Sequence, residues 1–354
     1  LTRVLLIKTS SLGDVINALP AVSDMRRRVP GLTLDWVVEE QLSEIPRLHP
    51  AVTSVIPVRM RQWRSQPLAG ETWSGLAALR RRLSEAPYDR VIDAQGLIRT
   101  SWLGRLARGP YCGYDLASIR EPLACLFYDR RFSVGVTLHA AERMRRLTAQ
   151  AMGYPAPSEV EFGLAVEPWR PAWLGEGRYL VMLHATARPG KAWASENWIE
   201  LGRRAAGEGL TVVTPWGSEP ERARAEAVAA AVPGALVAPA MRLSELAALM
   251  AGAAAVVGVD TGLAHLASAV GAPVVALYLA SWSEFNGVIG PGFIANLGEP
   301  GAPPTVETVW AKTREAMAFG RREGSWPAPL EPHPDLAKRR RFRPSNSGAV
   351  VHRR

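Results

Sequence analysis

The stretch 256–278, VVGVDTGLAHLASAVGAPVVALY, leaves this chain few folds to choose from. Two continuous apolar, β-branched runs, 254–259 and 273–278, flank one turn and one short helical segment. Runs without polar alternation belong to strands covered on both faces, as parallel strands are. The segment between them is rich in small residues (Ala264, Ala267, Ser268, Ala269), so a helix there can lie close against a sheet, and Gly271 and Pro273 stop it. The turn Asp260-Thr261-Gly262 follows the first strand, where helix N-termini offer free N–H groups to anions. Two readings stand for its residues. Asp260 is either a ligand-facing group or a helix cap, and His265 either a site residue or a satisfied helix histidine.

The same alternation runs through the chain. Strand candidates lie at 4–7, 32–38, 52–58 and 90–94, with helices at 15–28 and 75–84. A second series lies at 179–184, 210–215, 235–238, 255–259 and 273–278. This predicts an α/β fold of two Rossmann-like, doubly wound parallel-sheet domains facing a central cleft, which 354 residues can supply. Residues 156–177 are rich in Pro, Glu and Gly and read as a connection. The domains are therefore set at 1–160 and 178–322, with a linker over 161–177 and a basic Pro/Arg-rich tail over 323–354 that is expected to be disordered.

Composition narrows the class. No apolar run approaches the roughly 20 residues that span a bilayer, and the first ten residues read as a strand rather than a signal peptide. Cys112 and Cys125 form no CxxC and have no nearby histidine pairing, which argues against zinc and a disulfide framework and for a reducing, cytoplasmic setting. Of the net charge of +9, five units sit in 325–354, which holds seven Lys/Arg against Glu331 and Asp335. The tail is either a solvated run or a contact for anionic lipid or nucleic acid. With the excess charge concentrated there, nucleic acid is not the expected partner of the body.

The chemistry-bearing residues cluster after strands. KTSSLGD (8–14) is neither GxGxxG nor a P-loop. Ser10, Ser11 and Gly13 would let a ligand approach the backbone, and Asp14 is either a general base facing the cleft or the cap of a helix starting at Val15. Arg59, Arg61 and Arg64 suit an anionic acceptor or membrane surface, or line a solvated loop. Thr186 and Lys191 follow another strand, and Lys191 there could neutralise a departing pyrophosphate. Glu221 either accepts from a ribose or complements a helix dipole. Met241 packs either on an adenine or in the core. No DxD or HExxH cluster occurs, so a mechanism without metal is expected.

IKTSSLGDVINALPAV, VIDAQGLIRTSWL with REPLACLFY, and VDTGLAHLASA resemble the ADP-heptose:lipopolysaccharide heptosyltransferase family over residues 3–280. They resemble heptosyltransferase I more than heptosyltransferase II, which is similar mainly around VDTGLAHLA. The resemblance implies a GT-B fold and an inverting, metal-independent transfer of heptose from ADP-L-glycero-β-D-manno-heptose to the Kdo of Kdo-lipid A. It implies a peripheral protein on the cytoplasmic face of the inner membrane, with no resident cofactor. Asp14 matches the proposed base and Lys191 the lysine on the donor phosphates. Thr186, Glu221, Met241, Asp260, Thr261, Gly262 and His265 match donor positions, and Arg59, Arg61, Arg64 and Arg120 match basic acceptor positions. The chain departs from the family at Ala187, where a second threonine is common, and at 279–282, where Gly-Pro-Thr is usual. Another nucleotide-sugar transferase of this fold, or a non-catalytic nucleotide-binding module, are the alternative readings.

Overall fold

The apolar runs of the first half pair side by side. In the computed structural model, which describes residues 1–186 and 189–319, the first sheet contains β1 (Thr2–Ile7), β2 (Leu32–Glu39), β3 (Val52–Val58), β4 (Arg90–Asp93), β5 (Tyr111–Tyr114) and β6 (Arg130–Phe132). Their order is β3-β2-β1-β4-β5-β6, every pairing parallel. The second sheet contains β7 (Tyr179–Leu183), β8 (Thr211–Thr214), β9 (Leu236–Val237), β10 (Ala255–Val259), β11 (Val274–Leu277) and β12 (Ile294–Leu297). Its order is β12-β11-β10-β7-β8-β9, again parallel throughout. This is the doubly wound α/β pattern that the alternation predicts. In each sheet the order reverses beside the half's first strand, between β1 and β4 and between β7 and β10. Ligand crevices open at such switch points, beyond the carboxyl ends of the strands.

Burial follows the same logic. Every residue of β7, β10 and β11 is buried, and Val4, Leu5, Leu6 and Ile7 of β1 are at most 1% exposed. Cys112 and Cys125 are both buried and free, as packing residues would be. The helix Ala140–Met152 is tied to the helix Leu19–Arg28 by Arg145, whose Nε donates to Asp24 Oδ2 at 2.6 Å and whose Nη2 donates to the Pro157 carbonyl at 2.7 Å. A buried pair of this kind fixes orientation more than it adds stability.

Several local expectations are corrected. The helix expected over 15–28 is two helices, Leu12–Ile16 and Leu19–Arg28. Pro20 has no N–H to continue the ladder and instead occupies the first turn of the second helix, where none is needed. The helix expected over 75–84 begins earlier and spans Gly70–Ser84. The connection at 161–177 is laid against both halves. The Ala165 N–H donates to the Leu48 carbonyl at 2.9 Å, the Trp169 N–H to the Ala248 carbonyl at 3.1 Å, and Phe162 is buried. Ala187 and the tail 323–354 lie outside the described residues. Among those residues, no helix is long and apolar enough to cross a membrane.

Candidate active site

The two halves touch through glycines. A Cβ on Gly13 would lie 3.1 Å from His265 Cδ2, and one on Gly262 would lie 2.6 Å from Leu12 Cβ. The helices Leu12–Ile16 and Gly262–Ala269 therefore meet closely, with no room for a larger residue at Gly262 and little at Gly13. The Cβ side of Gly13 is turned to the His265 ring, and the glycine itself is half-buried, so its small size serves the contact between the halves. Further bridges fix the halves, with the Ser244 N–H and hydroxyl donating to Glu44 Oε2 at 3.0 and 2.6 Å. The His139 Nε2 lies 2.9 Å from the Gly287 carbonyl.

Asp14 stands on the first half's side of this contact. The helix cap is Ser11, not Asp14. Asp14 is the third helical residue, and its Oδ2 accepts from the Ser11 N–H at 3.1 Å and the Ser11 hydroxyl at 3.0 Å. Its Oδ1 is 3.6 Å from the Lys8 ammonium, which is almost wholly enclosed, whereas the Asp14 carboxylate is 38% exposed. Burial pushes the Asp14 carboxyl up. The Lys8 charge, the two Ser11 donors and the Arg120 guanidinium outweigh that and hold it below the ordinary carboxylate value. Asp14 is thus ionised at neutral pH and open on one side. His265 is buried, and burial holds its imidazole below the ordinary value. The nearby Asp260 and Asp14 carboxylates act against that shift and the Lys191 ammonium with it.

The loop carrying Ser10 and Ser11 has a support that the sequence reading missed. Gln95 Oε1 accepts from the Thr9 N–H at 3.0 Å and the Ser10 N–H at 3.3 Å. Gln95 is itself held by Asp93, whose Oδ1 accepts from the Gln95 N–H at 2.7 Å and whose Oδ2 accepts from the Tyr128 hydroxyl at 2.7 Å. Asp93 is fully buried, and burial raises its carboxyl even against these donors. Lys8 and Gln95 lay in plain sight, one directly after a buried strand and the other inside the DAQGL string. Replacing Gln95 by alanine strands two amides in a poorly hydrated loop. The expected result is a loss of about 1–3 kcal/mol in stability and a lower turnover with ADP affinity unchanged, read by thermal unfolding, kinetics and calorimetry. Unaltered turnover would remove Gln95 from the positioning of Asp14.

The second half gathers its residues at neighbouring strand ends. β10, β7, β8 and β9 are consecutive in the sheet, so the segments that follow them are separated by steps of about 4.8 Å. Lys191 Nζ donates to Asp260 Oδ2, which also accepts from the Ser281 hydroxyl. The cap expectation for Asp260 is corrected accordingly: Thr261 is the cap residue, in extended conformation, and Asp260 spends its carboxylate on Lys191 and Ser281. Ser281 belongs to the segment that departs from the usual Gly-Pro-Thr. Glu221 Oε2 accepts from the Gly217 N–H at 2.8 Å, closing the turn after β8. Thr186 and Met241 are half-buried at the same edge.

The arginines divide. Arg120 is exposed and its charge reaches Asp14. Arg59, Arg61 and Arg64 lie after β3, two strands from β1. Arg59 is engaged by Glu40 through Nε at 2.7 Å and Nη2 at 2.9 Å, while Arg61 and Arg64 are exposed. A groove of about 710 Å³ beside Arg59, lined by Ile56, Trp63 and Leu79, includes neither Asp14 nor any donor-side residue. Among the described residues, no group of three or more His, Cys, Asp or Glu could hold a metal ion.

The chain that carries these residues has known relatives. The model of glycosyltransferase family 9 (heptosyltransferase) matches residues 76–309. Lipopolysaccharide heptosyltransferase 1 of Pseudomonas aeruginosa is 47% identical over 293 residues, 81% of each chain. The solved E. coli heptosyltransferase WaaC with ADP superposes with a TM-score of 0.82 at 38% identity, covering 89% of this chain and 100% of that one. The same enzyme with ADP-2-deoxy-2-fluoro heptose gives 0.77 at 37% identity, covering 89% and 98%.

Proposed function

Since the chain belongs to glycosyltransferase family 9, the heptosyltransferases, we propose that it transfers L-glycero-D-manno-heptose from ADP-heptose to the Kdo of Kdo-lipid A in lipopolysaccharide inner-core biosynthesis. The reading rests most on one observation, an ionised and half-open Asp14 at the contact between the halves, where Asp14, Asp260 and Lys191 all act on the buried His265. Asp14 takes the proton of the acceptor hydroxyl as that oxygen attacks the anomeric carbon. The bond from that carbon to the diphosphate oxygen breaks, the configuration inverts, and ADP leaves with the bonding pair. Charge developing on the diphosphate is met by Lys191 and by the free N–H groups of Thr261 and Gly262 at a helix start. Thr186, Glu221, Met241 and His265 complete the donor side, and Ser10, Ser11, Arg61, Arg64 and Arg120 the acceptor side.

No metal is required in this scheme, because a lysine and helix N–H groups supply the positive potential. The protein works as a peripheral enzyme on the cytoplasmic face of the inner membrane, where a lipid-anchored acceptor is presented. The test is ADP release on mixing the protein with ADP-heptose and Kdo-lipid A in EDTA. Acceptor-dependent release that ignores the chelator is expected. Saturable ADP binding without release would move the acceptor to a different sugar, and neither binding nor release would sink the donor site.

A further inference from the structure

We propose that the carboxyl rim of the first sheet is a lipid-docking surface, whose exposed apolar side chains enter an anionic membrane interface while its arginines hold lipid phosphates. The proposal deepens the reading above, in which the acceptor is lipid-borne.

It starts from where exposed apolar residues lie. Among the described residues, eight large apolar side chains are exposed, and six of them follow the carboxyl ends of β3, at one edge of the first sheet, and of the neighbouring β4 and β5. Leu68 (91% exposed) and Trp73 lie between β3 and the first turn of Gly70–Ser84. Ile98 opens the short helix after β4. Leu116, Leu123 and Leu126 (72%) lie in the crossover after β5. That crossover is held at the rim by two contacts. The Ile98 N–H donates to Glu121 Oε2 at 2.7 Å, and Cys125 Sγ contacts the carbonyl of Tyr114, the last residue of β5, at 3.4 Å. Six of the eight exposed large apolar side chains falling along one sheet rim mark an interaction site rather than ordinary surface.

Charge says what the partner is. The segments 59–73, 98–101 and 115–127 carry five arginines against three carboxylates. Two of those carboxylates are occupied, Glu121 by the Ile98 N–H and Asp115 by the Ser118 N–H at 2.8 Å. Apolar side chains interleaved with exposed Arg61, Arg64, Arg99 and Arg120 complement an interface of acyl chains and phosphates. The loop bearing Asp14 follows β1 on the same rim, so docking there turns the mouth of the crevice toward the lipid.

The experiment is cosedimentation of the full chain with phosphatidylcholine vesicles and with vesicles containing phosphatidylglycerol, without donor or acceptor. The wild type should bind the anionic vesicles, more weakly as salt rises. Leu123→Ser/Leu126→Ser should lower that binding about tenfold or more with the Tm unchanged, and Arg99→Ser roughly fivefold on anionic vesicles only. Equal binding by wild type and the double variant overturns the proposal, as does binding indifferent to lipid charge. A wild-type dimer that the double variant turns into a monomer, with no vesicle binding by either, also overturns it and assigns the rim to self-association. Vesicle binding by a protein that releases no ADP leaves the docking surface standing and sinks the transferase reading instead.

Discussion

Asp14→Asn is expected to lower turnover by roughly a hundredfold to ten-thousandfold, the usual contribution of a general base, while ADP affinity stays at the wild-type value. The substitution keeps the size of the side chain and an oxygen for the Ser11 N–H, so the helix Leu12–Ile16 retains its start. What it removes is the acceptor for the hydroxyl proton. The pH dependence carries a second, separable signature. Because the Asp14 carboxyl lies below the ordinary carboxylate value, its basic form is present throughout the neutral range. Activity that depends on it falls only as pH drops through that depressed pKa. Lys8→Met removes the nearest positive charge, 3.6 Å away, so the carboxyl rises and the acid limb of kcat/KM moves to higher pH. An acid limb in the same place for Lys8→Met and wild type would show that Lys8 does not set the ionisation of Asp14. Full turnover in Asp14→Asn would remove the base from the mechanism.

How much of this was legible depended on how locally each feature is encoded. β1, β7, β10 and β11 announce themselves because strands buried on both faces must be continuously apolar. β5 (YCGY), β6 (RRF) and β12 (IANL) went unread, being three or four residues long with a glycine or polar residues in the run. β5 also owes its place to packing that only the fold creates, since a Cβ on Gly113 would lie 2.2 Å from Tyr128 Cε2. The same division holds at the site. Asp14, Lys191 and Asp260 could be singled out because charged residues just beyond buried strands in this topology face a crevice. Their partners could not. That Gly13 meets His265, that Gln95 holds the Thr9–Ser10 amides, and that Asp260 takes Lys191 and Ser281 are facts of tertiary contact between residues 21 to 252 positions apart. The second threonine position at Ala187 falls outside the described residues, whereas the 279–282 departure brings Ser281 onto Asp260.

That last contact sharpens what Lys191→Ala should do. Lys191 donates to Asp260, and both side chains are largely enclosed, 17% and 13% exposed. A diphosphate entering the crevice competes with Asp260 for the ammonium. A charge-assisted hydrogen bond of this kind is worth about 1.5–3 kcal/mol, so its loss weakens ADP binding roughly ten- to a hundredfold. Lys191→Ala does more than delete the bond: it leaves the Asp260 carboxylate uncompensated beside the diphosphate, where like charges repel. The single variant should therefore sit at or beyond the upper end of that range. Asp260→Asn removes the repulsion but also frees Lys191, so alone it should hold ADP at least as well as wild type. Combining the two should recover part of what Lys191→Ala loses, a non-additivity expected of residues in direct contact. Calorimetric titration with ADP across the four proteins reads the cycle. Wild-type affinity in Lys191→Ala would refute the phosphate role, and strictly additive effects would mean that the Lys191–Asp260 pair is not in play when the diphosphate binds.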